Sequence, residues 1–188
     1  MKKQEDLESE KQMQSIINNF LKRSIYEKLT IQILSSTPDT ILEQTVIDNL
    51  HTKIGPNFSD EYEAITKLSE GRQAIYTTFY LENEILNGGF NQYFYNSTGS
   101  FAKLAYKGLF RIGAINLSVL MSEAINIYTK KDQNITKDQT RTIEGFTIYS
   151  EANSLTDLDE KFYSLIKVEN LSILRINYIR NNLNEFID

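Results

Sequence analysis

Residues Leu86–Gly99 read LNGGFNQYFYNSTG, and the reading of this stretch decides the fold. It packs Gly88, Gly89 and Gly99, four aromatic rings and three asparagines into fourteen positions. Three readings compete for it: a ligand cradle, a catalytic loop, or a structural corner. The spacing favours a corner. Asn87-Gly88-Gly89 ends a helix, because glycine takes the left-handed backbone conformation without a Cβ clash. Phe90, Tyr93 and Phe94 stand at i, i+3, i+4 and drive the next turn into a core. Asn87, Gln92 and Asn96 are then expected to satisfy backbone groups left open at the junction.

Outward from the corner, helical signals dominate. Residues 60–86 read as helix with a hinge expected at Gly71, and Ala74, Ile75, Thr78, Phe79, Glu82, Ile85 and Leu86 form one broad stripe. After the corner, Phe101, Leu104, Ala105, Leu109 and Ile112 share a face opposite Lys103, Lys107 and Arg111. Ile115–Tyr128 is a further apolar helix, and later helices are expected near 138–144, 156–166 and from Leu171 to Leu183. GFTIYS at 145–150 has strand character without a partner. Upstream, Met13, Ile17, Phe20, Leu21, Ile25 and Leu29 recur at helical intervals. Thr37 is expected to cap a second helix with Pro38 in its first position and Asp39 at the positive end of its dipole. That helix breaks at Gly55-Pro56, and Ser59 is the candidate cap for the next. No strand–helix alternation or repeat is present. The expected fold class is all-α: a single orthogonal multi-helix domain over 37–188, with residues 1–36 as an N-terminal helical arm.

With 188 residues and 40% hydrophobic content, the chain can build a real core. It has no cysteine, which excludes disulfides, thiolate metal sites and cysteine nucleophiles. The polar, acid-rich start and the lack of a long apolar run give the expectation of a cytoplasmic protein without membrane contact. The net charge is −5, unevenly spread. Asp39, Glu43, Asp48, Asp60, Glu61, Glu63 and Glu70 face only Lys53 and Lys67 across 39–70, whereas 101–130 is basic. Overall acidity argues against direct nucleic-acid binding, which needs a positive footprint. Those seven acids are the candidate face for a basic protein partner.

Catalytic chemistry is sparse. His51 is the single histidine, and its pairing with Asp48 reads more simply as a surface histidine near a helix C-terminus. Gly88-Gly89 lacks the Lys-Ser/Thr that phosphate binding requires. Glu82 and Glu84 are two apart and do not face each other on a helix. Glu82 lies on the apolar stripe and needs a bonding partner, for which Asn87, Asn91 or Gln92 are the candidates. No catalytic residue, metal or cofactor is expected.

The motif Glu84, Asn87, Gly88, Gly89, Phe90, Gln92, Tyr93, Phe94, Asn96, Gly99 resembles the signature of a bacterial family of small helical domains named after a DNA mimic protein. Asp159, Phe162, Tyr163, Tyr178, Ile179 and Arg180 match that family's C-terminal pattern. The resemblance spans roughly Thr37 to the C-terminus. It implies an acidic dimer whose carboxylates imitate DNA phosphates toward a transcription factor, a property of a surface and not of the glycine motif. A charge of −5 is low for a whole-molecule mimic, since duplex DNA carries a phosphate about every 3.4 Å along each strand.

The expected function is therefore a non-enzymatic protein-binding module, a DNA-mimic-like regulator using its acids on a basic partner. An immunity-type protein that binds a toxin is the alternative. A small-ligand binder or enzyme built on Glu84, Asn87, Asn91, Gln92, Tyr93 and Asn96 is the third.

Overall fold

The computed structural model describes residues 13–14, 21–55, 60–132 and 155–188. Within them every regular element is helical, as expected. In chain order these are α1 (Ile31–Ser36), α2 (Asp39–Ile54), α3 (Glu61–Thr66), α4 (Glu70–Tyr95), a 3-10 turn (Ser97–Phe101), α5 (Ala102–Ile112), α6 (Ile115–Asp132), α7 (Thr156–Leu165), α8 (Leu171–Asn181) and a second 3-10 turn (Leu183–Glu185).

α4 is the axis of the fold and packs against α2, α5, α7 and α8. Ile75, Leu81, Ile85, Phe90, Tyr93 and Phe94 from it are buried together with Phe101, Leu109, Met121, Phe162 and Ile179. Burying one such side chain contributes about 1.5–3 kcal/mol, so this continuous apolar column is the main source of stability. α5 approaches α4 closely because residue 108 is glycine; a Cβ there would lie 3.0 Å from Ala74 Cα. Phe94 stacks on Tyr128 of α6 with ring centroids 4.4 Å apart.

Several backbone N–H groups at the starts of segments are satisfied by carboxylates distant in sequence. Glu185 accepts from Gly71 N at 2.7 Å, Glu169 from Asn116 N and Leu117 N at 2.8 and 2.9 Å, and Asp188 from Leu29 N at 2.9 Å. The first two sit at the openings of α4 and α6, where unpaired N–H groups and the helix dipole both favour an anion. Chain segments 29–36 and 183–188 are thereby fastened to the same body; Leu29, Leu34 and Phe186 are buried.

Local readings change in several places. Residues 23–30 are not helical, although Leu29 is buried; Ile25 is exposed. Thr37 does not cap α2, because its hydroxyl donates back to the Ile33 carbonyl at 2.7 Å, and Pro38 is the flanking residue before Asp39. The break expected at Gly71 falls at 67–69, and Ser69 caps α4 through Arg72 N. Gly71 instead admits Glu185, whose Oε2 would lie 2.5 Å from an added Cβ. Ile17, Phe20, Ser59, the 138–144 helix and 145–150 lie outside the described residues.

Candidate functional site

At the glycine corner, α4 breaks and restarts. Gly88 has φ −159° and ψ 24°; Gly89 has φ 74° and ψ −176°. Gly89 thus occupies a backbone region essentially reserved for glycine. The helical half that resumes at Phe90 has its first N–H bonded to Asp159 Oδ1 at 2.8 Å, so α7 supplies the cap that the glycines cannot. On the other side of the break, the Tyr163 hydroxyl donates to the Ile85 carbonyl at 3.2 Å. Between them, Phe162 meets Phe90 edge-on, centroids 5.9 Å apart. Asp159, Phe162 and Tyr163 therefore clasp both halves of α4 across the corner. Burial pushes the Asp159 carboxyl above the ordinary carboxylate range, and the Phe90 N–H opposes that shift.

The remaining motif residues complete the corner. Glu84 Oε2 accepts from Gln92 Nε2 and Asn96 Nδ2, each at 2.8 Å, tying the two halves on their outer side. Gln92 and Asn96 were expected to serve the backbone; their amides serve Glu84 instead. Asn87 is exposed. Gly99 lies against the Tyr93 and Phe94 backbone, where a Cβ would stand 2.9 Å from Phe94 Cα. Tyr93 is buried, which pushes its phenol far upward and keeps it neutral.

Two matched residues go elsewhere. Tyr178 donates to Glu185 at 2.7 Å, with Arg111 over its ring. Arg180 bonds Asp39 at 2.6 Å and the Leu34 and Thr37 carbonyls, locking the joint between α1 and α2.

The seven candidate acids divide into two groups. Glu43, Asp48 and Glu61 are turned inward. Glu43 bonds Arg175 and Ser172; Asp48 accepts from Arg23 at 2.5 Å and Gln44 at 2.8 Å; Glu61 accepts from the Tyr76 hydroxyl at 2.5 Å. Asp39, Glu63 and Glu70 keep side chains 65%, 70% and 75% exposed despite pairing with Arg180, Lys67 and Arg111, and Asp60 is exposed too. The exposed pairs of Glu63 and Glu70 are weak, so these two carboxylates and Asp60 remain open to exchange partners, whereas Asp39 is tied into the α1–α2 joint through Arg180.

Glu82 does not bond Asn87, Asn91 or Gln92. It pairs with Arg175 at 2.5 Å, and Arg175, 2% exposed, also holds Glu43 and the Thr78 carbonyl. Sequence reading missed this arginine, yet its signal was present: Leu171, Arg175 and Ile179 share one buried helical stripe. His51 is also no simple surface residue. Its Nε2 lies 2.5 Å from the Tyr80 hydroxyl, and Tyr80 packs against Tyr76, which continues to Glu61. Burial lowers the His51 pKa, with Asp48 and then Glu61 opposing.

Among the described residues no three His, Asp or Glu side chains are grouped to hold a metal ion, and no helix is long and apolar enough to cross a membrane. No curated protein and no solved structure matches the chain. A family model does: the chain belongs to the DMP19-like protein family, whose model matches residues 66–182, more than half of its length. The match contains the glycine corner, its clasp and Arg175, but of the candidate acids it includes only Glu70.

Proposed function

We propose that this protein is a non-enzymatic protein-binding module of the DNA-mimic-like type, presenting carboxylates to a basic, DNA-binding partner. The observation that carries the reading is the division of the 39–70 acids: Asp39, Asp60, Glu63 and Glu70 stay exposed near the openings of α2, α3 and α4. Carboxylates presented this way raise the encounter rate of a cationic surface and are sensitive to salt. Family membership agrees with the reading. So does the corner, where Glu84, Gln92, Asn96 and Asp159 bond one another or backbone and hold the fold.

The test compares the wild-type chain with Asp60→Asn/Glu63→Gln/Glu70→Gln, which leaves the inward acids intact. Partners captured from native lysate by the wild type are identified, purified and titrated at low and physiological salt. Expected is a basic protein whose affinity falls with salt and drops in the triple variant, and whose DNA is displaced by the wild type. Equal affinity for the triple variant overturns the reading. A basic partner with no DNA affinity moves it to the immunity-type alternative.

A further inference from the structure

Asp60, Glu61, Tyr62 and Glu63 stand at the opening of α3, and their side chains part company. Glu61 turns inward onto the Tyr76 hydroxyl, and Ile65, one turn further on, is fully buried. These two anchors pin the short helix to α4 and the core. Tyr62 turns outward and is 50% exposed. Its ring stacks on Phe101, with centroids 5.4 Å apart and planes inclined by 29°. Phe101 is itself buried and meets Tyr76 edge-on at 6.0 Å. One face of Tyr62 therefore rests on the core while the other is open, which accounts for its half exposure. A ring fixed in this way loses little freedom when a partner docks on it, and tyrosine is enriched among the residues that dominate interface affinity.

The chemistry around the ring selects its occupant. The face of an aromatic ring is electronegative and attracts a cation. Asp60 and Glu63, both exposed, lie within one turn of Tyr62, and Lys67 holds Glu63 only through a weak exposed pair. The chain shows twice which cation settles on a ring beside two carboxylates. Arg111 lies over Tyr178, 6.0 Å from its centroid, with Glu70 and Glu185 as counter-ions. Arg175 lies over Phe79 at 5.7 Å, with Glu43 and Glu82. Both are arginines, because a planar guanidinium covers a ring while its edge donates to carboxylates; a lysine ammonium is a hydrated point charge that fits neither as well. Among the described residues no cation of this chain lies over Tyr62. We infer that the open face of Tyr62 is the seat for an arginine side chain of the basic partner, with Asp60 and Glu63 supplying the counter-charge. The inference rests on the acidic-face reading above and names the group that face receives: arginine, and not positive charge in general.

Fluorescein-labelled oligo-arginine and oligo-lysine peptides of equal length, titrated against the full chain by fluorescence anisotropy, test the inference. The wild type should bind the arginine peptide about two- to five-fold tighter than the lysine peptide, the size of a solvent-exposed contact between a cation and a ring. Tyr62→Leu keeps an apolar side chain against Phe101 but removes the ring. It should bring the arginine peptide down to the level of the lysine peptide and leave the latter unchanged. Tyr62→Phe retains the ring face and should retain the preference. On the wild type, the arginine δ-methylene protons should show upfield ring-current shifts in NMR spectra, and Tyr62→Leu should abolish them. Far-UV circular dichroism checks that the variants stay folded. Asp60→Asn/Glu63→Gln/Glu70→Gln should weaken both peptides. No arginine preference in the wild type, or a preference that Tyr62→Leu leaves unmoved, overturns the inference; weakening of both peptides in the triple variant would still uphold the acidic face. A preference abolished by Tyr62→Leu, beside a triple variant that binds as the wild type does, upholds the aromatic seat and overturns the acidic face.

Discussion

The carboxylate of Asp159 caps Phe90 N–H from a helix 69 residues further along the chain, at 2.8 Å. The cap restarts α4 immediately after a glycine pair that cannot cap it locally. Asp159→Ala should lower unfolding free energy by about 1–2 kcal/mol, the usual cost of losing such a cap. Asp159→Asn should lose less, because its amide oxygen still accepts. Urea denaturation measures both, and a midpoint unmoved by Asp159→Ala would count against the clasp.

Gly89 faces the same carboxylate. A Cβ at residue 89 would lie 2.8 Å from Asp159 Cγ, and its φ of 74° is strained for any L side chain. Backbone strain of this kind costs about 1–3 kcal/mol, and the collision adds to it. Gly89→Ala should therefore cost more than Asp159→Ala, and Gly89→Val should leave no cooperative thermal transition. In an Asp159→Gly background the collision is gone but the strain remains. Gly89→Ala should then cost less than in the wild type without becoming neutral. Full additivity of the two changes would show that the residues do not touch.

Arg175 is the cation on which two inward carboxylates depend. Removing it leaves Glu43 and Glu82 facing a buried site unpaired, a change that costs about 3–5 kcal/mol when a buried pair is broken. Arg175→Met should unfold at markedly lower denaturant. Adding Glu43→Gln and Glu82→Gln should recover part of the loss, since neutral amides tolerate the site better than charges do. A triple variant no more stable than Arg175→Met would mean the carboxylates are not the source of the cost.

Much of this fold was legible in sequence because its signals are local. The Gly88-Gly89 break, the inward Phe90, Tyr93 and Phe94, and the apolar face of α5 all follow from spacing and backbone freedom. What escaped is tertiary. A cap is sought within a few residues of a helix start, but Asp159, Glu169 and Glu185 reach N–H groups more than fifty residues away. Segment charge also misleads on its own. Counting seven acids over 39–70 does not reveal that Glu43, Asp48 and Glu61 are held by Arg175, Arg23 and Tyr76. The face that remains is smaller than composition implies, and neutralising Glu43 or Glu61 would perturb folding before it reported on binding.

His51 gives the fold a measurable pH dependence. Burial holds its pKa below the ordinary imidazole value of 6.5, so the unfolded chain takes up a proton first as pH falls. Stability rises with pH wherever the unfolded state binds more protons. The contribution is therefore absent above about pH 7. It becomes a loss as pH drops through 6.5, and levels off once pH is below the depressed value of the folded state. Asp188 has the same sign in a lower window. Its pairing with Lys53 and Arg72 and the Leu29 N–H outweigh its desolvation and hold its carboxyl below 3.8, so its contribution disappears only in strong acid. His51→Gln keeps an amide within reach of the Tyr80 hydroxyl and removes the titration. Denaturation of the variant across pH 7.5 to 5 should show a flatter profile than the wild type, with the two curves converging in slope below that range. Parallel profiles would place the His51 proton equilibrium outside folding altogether.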